Sequence, residues 1–210
     1  MCIRDSIWDQ KEIIEYIQTE PRLLRPLNYP EGTPGKGLIK YQLDGGREVL
    51  ILNLMGRLFM EALDDPFIIV EQELKNINLT KDVAAIIVDF HAETTSEKNA
   101  MGNFLDGRVS LVFGTHTHIP TSDTRILSKG TAYQTDLGMC GDYDSVIGMD
   151  KDAAIAKFRK EIPSQRLAPA DKDSTLCAVY VDLDDSTGLA NEVKPIRIGG
   201  LLSNTDYPGM

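Results

Sequence analysis

The chain carries three histidines, and two of them stand one residue apart in "VSLVFGTHTHIP", at His116 and His118. The third, His91, is the first residue beyond another short apolar run, Ala84 to Phe90, in "AAIIVDFHAETTSEK". Neutral imidazole is the commonest metal-ligating side chain. On an extended segment residues i and i+2 point the same way, so His116 and His118 are expected to project from one side with Thr117 opposite. Taken by itself, a His-x-His pair is as readily a hydrogen-bonded loop. A third imidazole at a neighbouring strand end makes it a candidate for a transition-metal site.

That neighbourhood depends on the elements between the histidines. Both apolar runs are short, β-branched and without clean alternation, the pattern of strands buried on both faces in a parallel or mixed sheet. "TSEKNAMGNFLDG" between them has good helix formers and closes at Gly107, so it reads as a crossover helix. A strand–helix–strand unit brings both strand ends to one edge of the sheet. In open α/β sheets that carboxyl edge is where ligands bind. All three histidines are therefore expected at one edge.

The rest of the chain supports a single α/β domain. "SIWDQKEIIEYIQTEP" places Ile13, Ile14 and Ile17 on one helical stripe and breaks at Pro21. "RPLNYPEGTPGKG" is a structured loop whose "GKG" lacks P-loop spacing and is a turn. "EVLILNLMG" is a buried strand, and a helix follows Asp64, Asp65 and Pro66. "GTAYQTDLGMCG" is a strand entering a glycine-rich turn. A helix is expected from about Asp150 to Ile162, and a hairpin around the turn Asp185 to Gly188.

The 210 residues, 42% hydrophobic and 26% charged, suffice for one domain with a substantial core. The formal net charge of −10 argues against stable nucleic-acid or anionic-membrane binding. It leaves open a small anionic substrate held by cations, because local charge can oppose the global one. No stretch approaches 18 apolar residues and no signal-like region opens the chain. Cys2, Cys140 and Cys177 form neither a CxxC pair nor an even framework. Free thiols in a reducing cytoplasm are expected, with Cys177 in the core.

Around the histidines, Asp89, Glu93 and Glu97 are the nearest carboxylates in sequence. Glu93 either orients a ligand imidazole through its other nitrogen or is a solvated loop residue. Asn28, Arg108 and the backbone at Gly138 are more simply loop and surface features than phosphate contacts. Trp8 reads as packing. "LDDPF" and "DLDDSTG" are too short and wrongly spaced for an EF-hand, so no Ca²⁺ site is expected.

"RPLNYPEGTPGKG", "NLMGRLFM", "LDDPF", "VDFHAETTSEK", "GTHTHIPTSD" and "KGTAYQTDLGMCG" together closely resemble the YmdB-like family of bacterial calcineurin-type metallophosphoesterases. The resemblance runs from about Trp8 to Ile198. It implies an α/β sandwich of two β-sheets flanked by helices. It also implies a phosphodiesterase with two divalent metal ions (Fe, Mn, Mg or Zn), acting on cyclic nucleotides such as 2′,3′-cyclic AMP. His91 matches the ligand of the family's Asp-Phe-His-Ala-Glu motif. His116 and His118 match those of Gly-Thr-His-Thr-His.

The departures lie at the start. The family's remaining ligands are an Asp at the first strand end, a Glu-Asn pair after the second strand, and the Asn of Gly-Asn-His-Thr-Trp-Asp. The His of that last motif is the family's general acid. Here Asp5 and Ser6 stand at its Asn and His positions, followed by Trp8 and Asp9. Residues 1–7 are accordingly expected to be a non-native leader. Residues 8–210 are expected to be one partial domain missing its first strands. Three imidazoles without a bridging carboxylate are expected to hold one ion or none, since two cations about 3.5–4 Å apart need anionic ligands between them. No catalytic residue is assigned.

Three functions follow. The first is a phosphodiesterase, impaired here by the lost ligands. The second is a mononuclear three-histidine hydrolase. The third is a non-catalytic metal-binding or regulatory module on the same scaffold. Small phosphodiesters or cyclic nucleotides are the expected substrates, and homo-oligomers are compatible with all three.

Overall fold

The computed structural model describes residues 11–160 and 167–205. The expected leader, Cys2, Asp5, Ser6, Trp8 and the end of the helix expected to reach Ile162 lie outside these residues. The chain runs α1 (Lys11–Thr19), β1 (Leu38–Gln42), β2 (Glu48–Met55), α2 (Pro66–Leu74), β3 (Ala85–His91), α3 (Thr95–Leu105) and β4 (Leu111–Thr115). It continues through β5 (Arg125–Ile126), β6 (Ala132–Gln134), β7 (Gly141–Asp142), α4 (Lys151–Phe158), β8 (Ser174–Leu183) and β9 (Ala190–Ile198). These form a mixed α/β fold with two sheets.

One sheet has six strands in the order β1-β2-β3-β4-β6-β5, the other three in the order β7-β8-β9. In the larger sheet β2, β3, β4 and β6 are parallel, with β1 and β5 antiparallel at its two edges. The register pairs Met55 with His91 and His91 with Thr115. The ends of three strands thus meet at one line, as the crossover expected between the histidine strands requires.

Alternation along the strands divides the residues between two faces. Leu50, Leu52 and Leu54 of β2, Ile86, Val88 and Phe90 of β3, and Val112 of β4 are almost wholly excluded from water. They pack with Val70 and Leu74 of α2 and Met101 and Leu105 of α3 as one core. The opposite set carries Asn53, Asp89, His91 and Thr115 toward the carboxyl edge. Polar groups placed on a strand with no clean alternation mark where the sheet changes from core to site.

Local chemistry fixes the crossovers. Asp65 caps α2 by accepting from the amides of Phe67 and Ile68, with Pro66 in the first turn where its missing N–H costs nothing. Thr94 caps α3 by accepting from Glu97 N, and Gly107 follows the helix at φ +80°, where only glycine is unstrained. Asn28 is fully buried, donates from Nδ2 to the carbonyls of Met55 and Asp64, and accepts from Met55 N. Its role is to fasten the Pro/Gly loop to the end of β2. Helix α4 ends at Phe158, earlier than expected, and β8 and β9 pair antiparallel as a hairpin. Among the described residues no helix is long and apolar enough to cross a membrane.

Candidate metal centre

His91 is the last residue of β3, one position inside the strand rather than beyond it. It is 1% exposed. Its Nδ1 lies 2.9 Å from Thr115 Oγ1, and that hydroxyl donates to Asp89 Oδ1 at 2.9 Å. With the hydroxyl hydrogen committed to Asp89, the neutral His91 ring donates from Nδ1, and its lone pair is on Nε2. Asp89 is itself held by Asn53 Nδ2, at 3.1 Å from Oδ2.

His116 follows β4. Its Nε2 lies 2.8 Å from Glu93 Oε2, so that nitrogen carries the proton given to the carboxylate. Its Nδ1 lies 3.2 Å from His91 Nε2, and the rings meet nearly edge to face, with centroids 4.9 Å apart. Both outer nitrogens are tied to a hydroxyl–carboxylate or carboxylate partner, the arrangement that orients metal-ligating imidazoles. At 3.2 Å apart, the two nitrogens are close enough that one transition-metal cation could take both as ligands.

His118 is arranged differently. The expectation that His116 and His118 project from one side of an extended segment does not describe this loop. Their φ angles are 109° and 68°, so the chain is in the left-handed region at both and the i, i+2 rule of strands no longer holds. His118 Nδ1 lies 2.7 Å from the carbonyl of Ile147, itself at φ 48°. Only Nε2 of His118 remains as a ligand nitrogen. Three non-glycine residues in this conformation, costing of order 1–3 kcal/mol each, are clustered at one place in the fold. Among the described residues no group of three His, Cys, Asp or Glu side chains stands close enough together to hold a metal ion.

Other residues singled out in the sequence fall where packing needs them. Glu97 is buried, and its carboxylate accepts from the amides of Arg57 and Leu58, pinning the loop that leaves β2 beside His91. Arg108 is ion-paired with Glu71 on the surface. Gly138 has φ 84°, and a side chain there would strike Pro120. Cys177 is buried and a free thiol, as is the more exposed Cys140. Burial, with the Tyr143 hydroxyl acting against it, raises the Cys177 pKa. Thr115, Asn53 and Asp136 were not singled out. The signal for the first two was a polar residue interrupting an apolar strand near its carboxyl end.

A cavity of about 330 Å³ opens beside His91, lined in part by Asn53, Asp89, Met55 and Leu24. Asn53 keeps its Oδ1 buried and without a hydrogen-bond partner among the described residues.

The loop after His118 is folded back along the end of β6. Asp123 accepts from Thr121 Oγ1, Thr135 Oγ1, Thr135 N and Arg125 Nη1. Burial alone would raise this carboxyl, but those donors hold it at about 2, below its usual 3.8. A carboxylate with a depressed folded-state pKa stabilises above its unfolded value, and that stability is lost as pH falls through the folded value. Asp123→Asn should therefore be less stable than the parent at pH 6, and the two urea midpoints should converge as pH falls from about 4 to 2. A constant difference across that range would contradict it.

An α/β chain that delivers carboxylate-oriented imidazoles to the edge of a parallel sheet, with this sequence, is of the metallophosphoesterase-like class. Within it, the chain belongs to the YmdB-like family: the profile described as YmdB-like protein matches residues 1–196. It is 46% identical over 200 residues to a 2′,3′-cyclic-nucleotide 2′-phosphodiesterase of Bacillus subtilis (strain 168), covering 95% of this chain and 72% of that protein. Among solved structures it is similar to a hypothetical protein from Thermus thermophilus, with 40% identity and TM-score 0.83 over 92% of this chain and 73% of that one. A novel phosphatase of Mycoplasma pneumoniae matches with 34% identity and TM-score 0.78, over 91% and 69% of the two chains. The family is one of phosphoester hydrolases.

Proposed function

We propose that the His91–His116 edge is a metal-dependent phosphodiesterase site for small cyclic nucleotides of the 2′,3′-cyclic AMP type. The observation that carries this is the 3.2 Å approach of His91 Nε2 to His116 Nδ1, with the outer nitrogens held by Thr115–Asp89 and by Glu93. The substrate class comes from the Bacillus relative's name.

His91 and His116 would hold one divalent cation; His118 offers only Nε2 and does not stand with them among the described residues, so it would add a third nitrogen only by turning its side chain toward them. Imidazole favours Zn, Fe or another transition metal over Mg²⁺. A bound cation supplies polarisation of a phosphoryl oxygen and a more acidic water. Glu93 and the Thr115–Asp89 pair keep the outer imidazole nitrogens protonated, so that the inner lone pairs stay turned to the site. The same carboxylates offset the cation's charge. Ser6, at the family's general-acid position, lies outside the described residues. A serine hydroxyl is far too weak an acid to protonate a leaving ribose oxygen near neutral pH. Turnover should therefore be about 10²–10⁴-fold below that of a relative with the histidine.

One observation favours a second reading, the non-catalytic metal-binding module: a serine, Ser6, stands where the family has its general-acid histidine. Hydrolysis of 2′,3′-cyclic AMP and of bis-p-nitrophenyl phosphate, with Mn²⁺ and with EDTA, separates the two. Slow, Mn²⁺-dependent turnover that disappears in His116→Ala is expected. Stoichiometric Mn²⁺ binding with no turnover of either substrate would establish the module instead.

A further inference from the structure

Lys98 and Asp136 form an ion pair inside the protein, Nζ to Oδ2 2.8 Å, with side chains 0% and 1% exposed. Two charges removed from water are seldom a net gain in stability over well-packed apolar residues, so the pair's other contacts are informative. Asp136 Oδ2 also accepts from Thr117 N at 3.0 Å and from Thr117 Oγ1 at 2.7 Å. Its Oδ1 accepts from Gly138 N at 2.9 Å. Thr117 is the residue between His116 and His118, both of which have a positive φ.

We infer that Lys98 and Asp136 are positioning residues for the two histidines, acting through Thr117; this rests on reading those histidines as metal ligands. The backbone at His116 and His118 would relax toward extended geometry if nothing held the residue between them. Asp136 grips Thr117 by backbone and side chain at once, which fixes the His116–Thr117 peptide plane and the Thr117 side chain. Lys98 in turn fixes the carboxylate, reaching it from the first turn of α3. Neighbouring Glu97 holds the loop after β2, so this turn sets both loops bordering the site. An apolar group at position 136 could fill the space but could accept neither bond from Thr117.

Two double variants separate positioning from packing. Lys98→Met/Asp136→Asn removes both charges yet keeps an acceptor for Thr117, giving up the bond from Gly138. Lys98→Met/Asp136→Leu removes charge and acceptor together. Both are compared with the parent by visible titration with Co²⁺ alone, by amide exchange at Thr117 and by thermal melting. The Asn double should bind Co²⁺ within tenfold of the parent. The Leu double should melt at a similar temperature, lose at least 30-fold in Co²⁺ affinity, and exchange the Thr117 amide at least tenfold faster. Parent-like Co²⁺ affinity in a folded Leu double overturns the inference, as does unchanged Thr117 exchange. If that variant does not fold, Thr117→Val takes its place, with a three- to tenfold loss expected and an unchanged affinity overturning the proposal. A parent that binds no Co²⁺ defeats the metal-ligand reading, and Thr117 exchange then decides the clamp independently.

Discussion

His116→Ala is expected to abolish metal binding while leaving the protein folded. The side chain sits past the end of β4 and outside the apolar core, so its removal opens no cavity there. What it removes is one of the two lone pairs brought within 3.2 Å of each other. The outer partners make a graded test possible. Glu93→Gln can still accept from His116 through its amide oxygen but contributes no negative charge, and outer partners of metal-bound histidines commonly matter by about 10–100-fold in affinity. The loss in His116→Ala should exceed that range, and Asp89→Ala, which releases Thr115, should fall within it. His118→Ala should weaken binding less than His116→Ala, since His118 offers only Nε2 and does not stand with the other two imidazoles among the described residues. Titration of each purified protein with Co²⁺ or Mn²⁺ would measure the series. Equal metal content in the parent and His116→Ala would remove the basis for a metal centre at this edge.

How far the sequence reached can be seen in the same residues. The crossover unit was legible because its signals are local: two β-branched runs, a capped helix between them, and a glycine to end it. The strand–helix–strand connection then puts both strand ends at one edge of the sheet, so His91 and His116 fall together by connectivity alone. The fold of the His116–His118 loop was not legible. Its left-handed residues are histidines rather than glycines, and the partner that holds them, Asp136, is nineteen residues away from Thr117. Lys98 was equally hidden. A lysine in a helix's first turn reads as a solvated charge, and nothing local says that its amine will be buried against a carboxylate from the end of β6. Asn28 is a loop residue, as its Pro/Gly-rich surroundings imply, but nothing local there specifies its two hydrogen bonds with Met55 at the end of β2 and its third to Asp64.

Gly114→Ala should be the most damaging small substitution in the larger sheet. A β-carbon at this position would stand 1.8 Å from the carbonyl oxygen of Thr135 and 2.7 Å from Lys98 Cδ. The first of these is backbone, and it belongs to the segment that continues β6, so no rotamer change can relieve the overlap. The strands β4 and β6 would have to move apart where Leu137 N donates to Gly114 O, at 3.0 Å. Losses above about 4 kcal/mol are exceptional for single substitutions and come from overpacking of this kind. Two other glycines calibrate the effect. Gly45→Ala meets nothing within 4 Å but has φ +85°, so it should cost only the conformational penalty of about 1–2 kcal/mol. Gly141→Ala meets only ordinary contacts at 3.7 Å or more, without a positive φ, and should be close to neutral. Urea denaturation of the three variants would rank them, with Gly114→Ala far below the other two or not folded at all. Gly114 directly precedes Thr115 and His116, so a partly folded variant should also lose metal affinity, which Gly45→Ala should retain. A Gly114→Ala protein as stable as Gly141→Ala would mean that β4 and β6 do not approach as closely as the site requires.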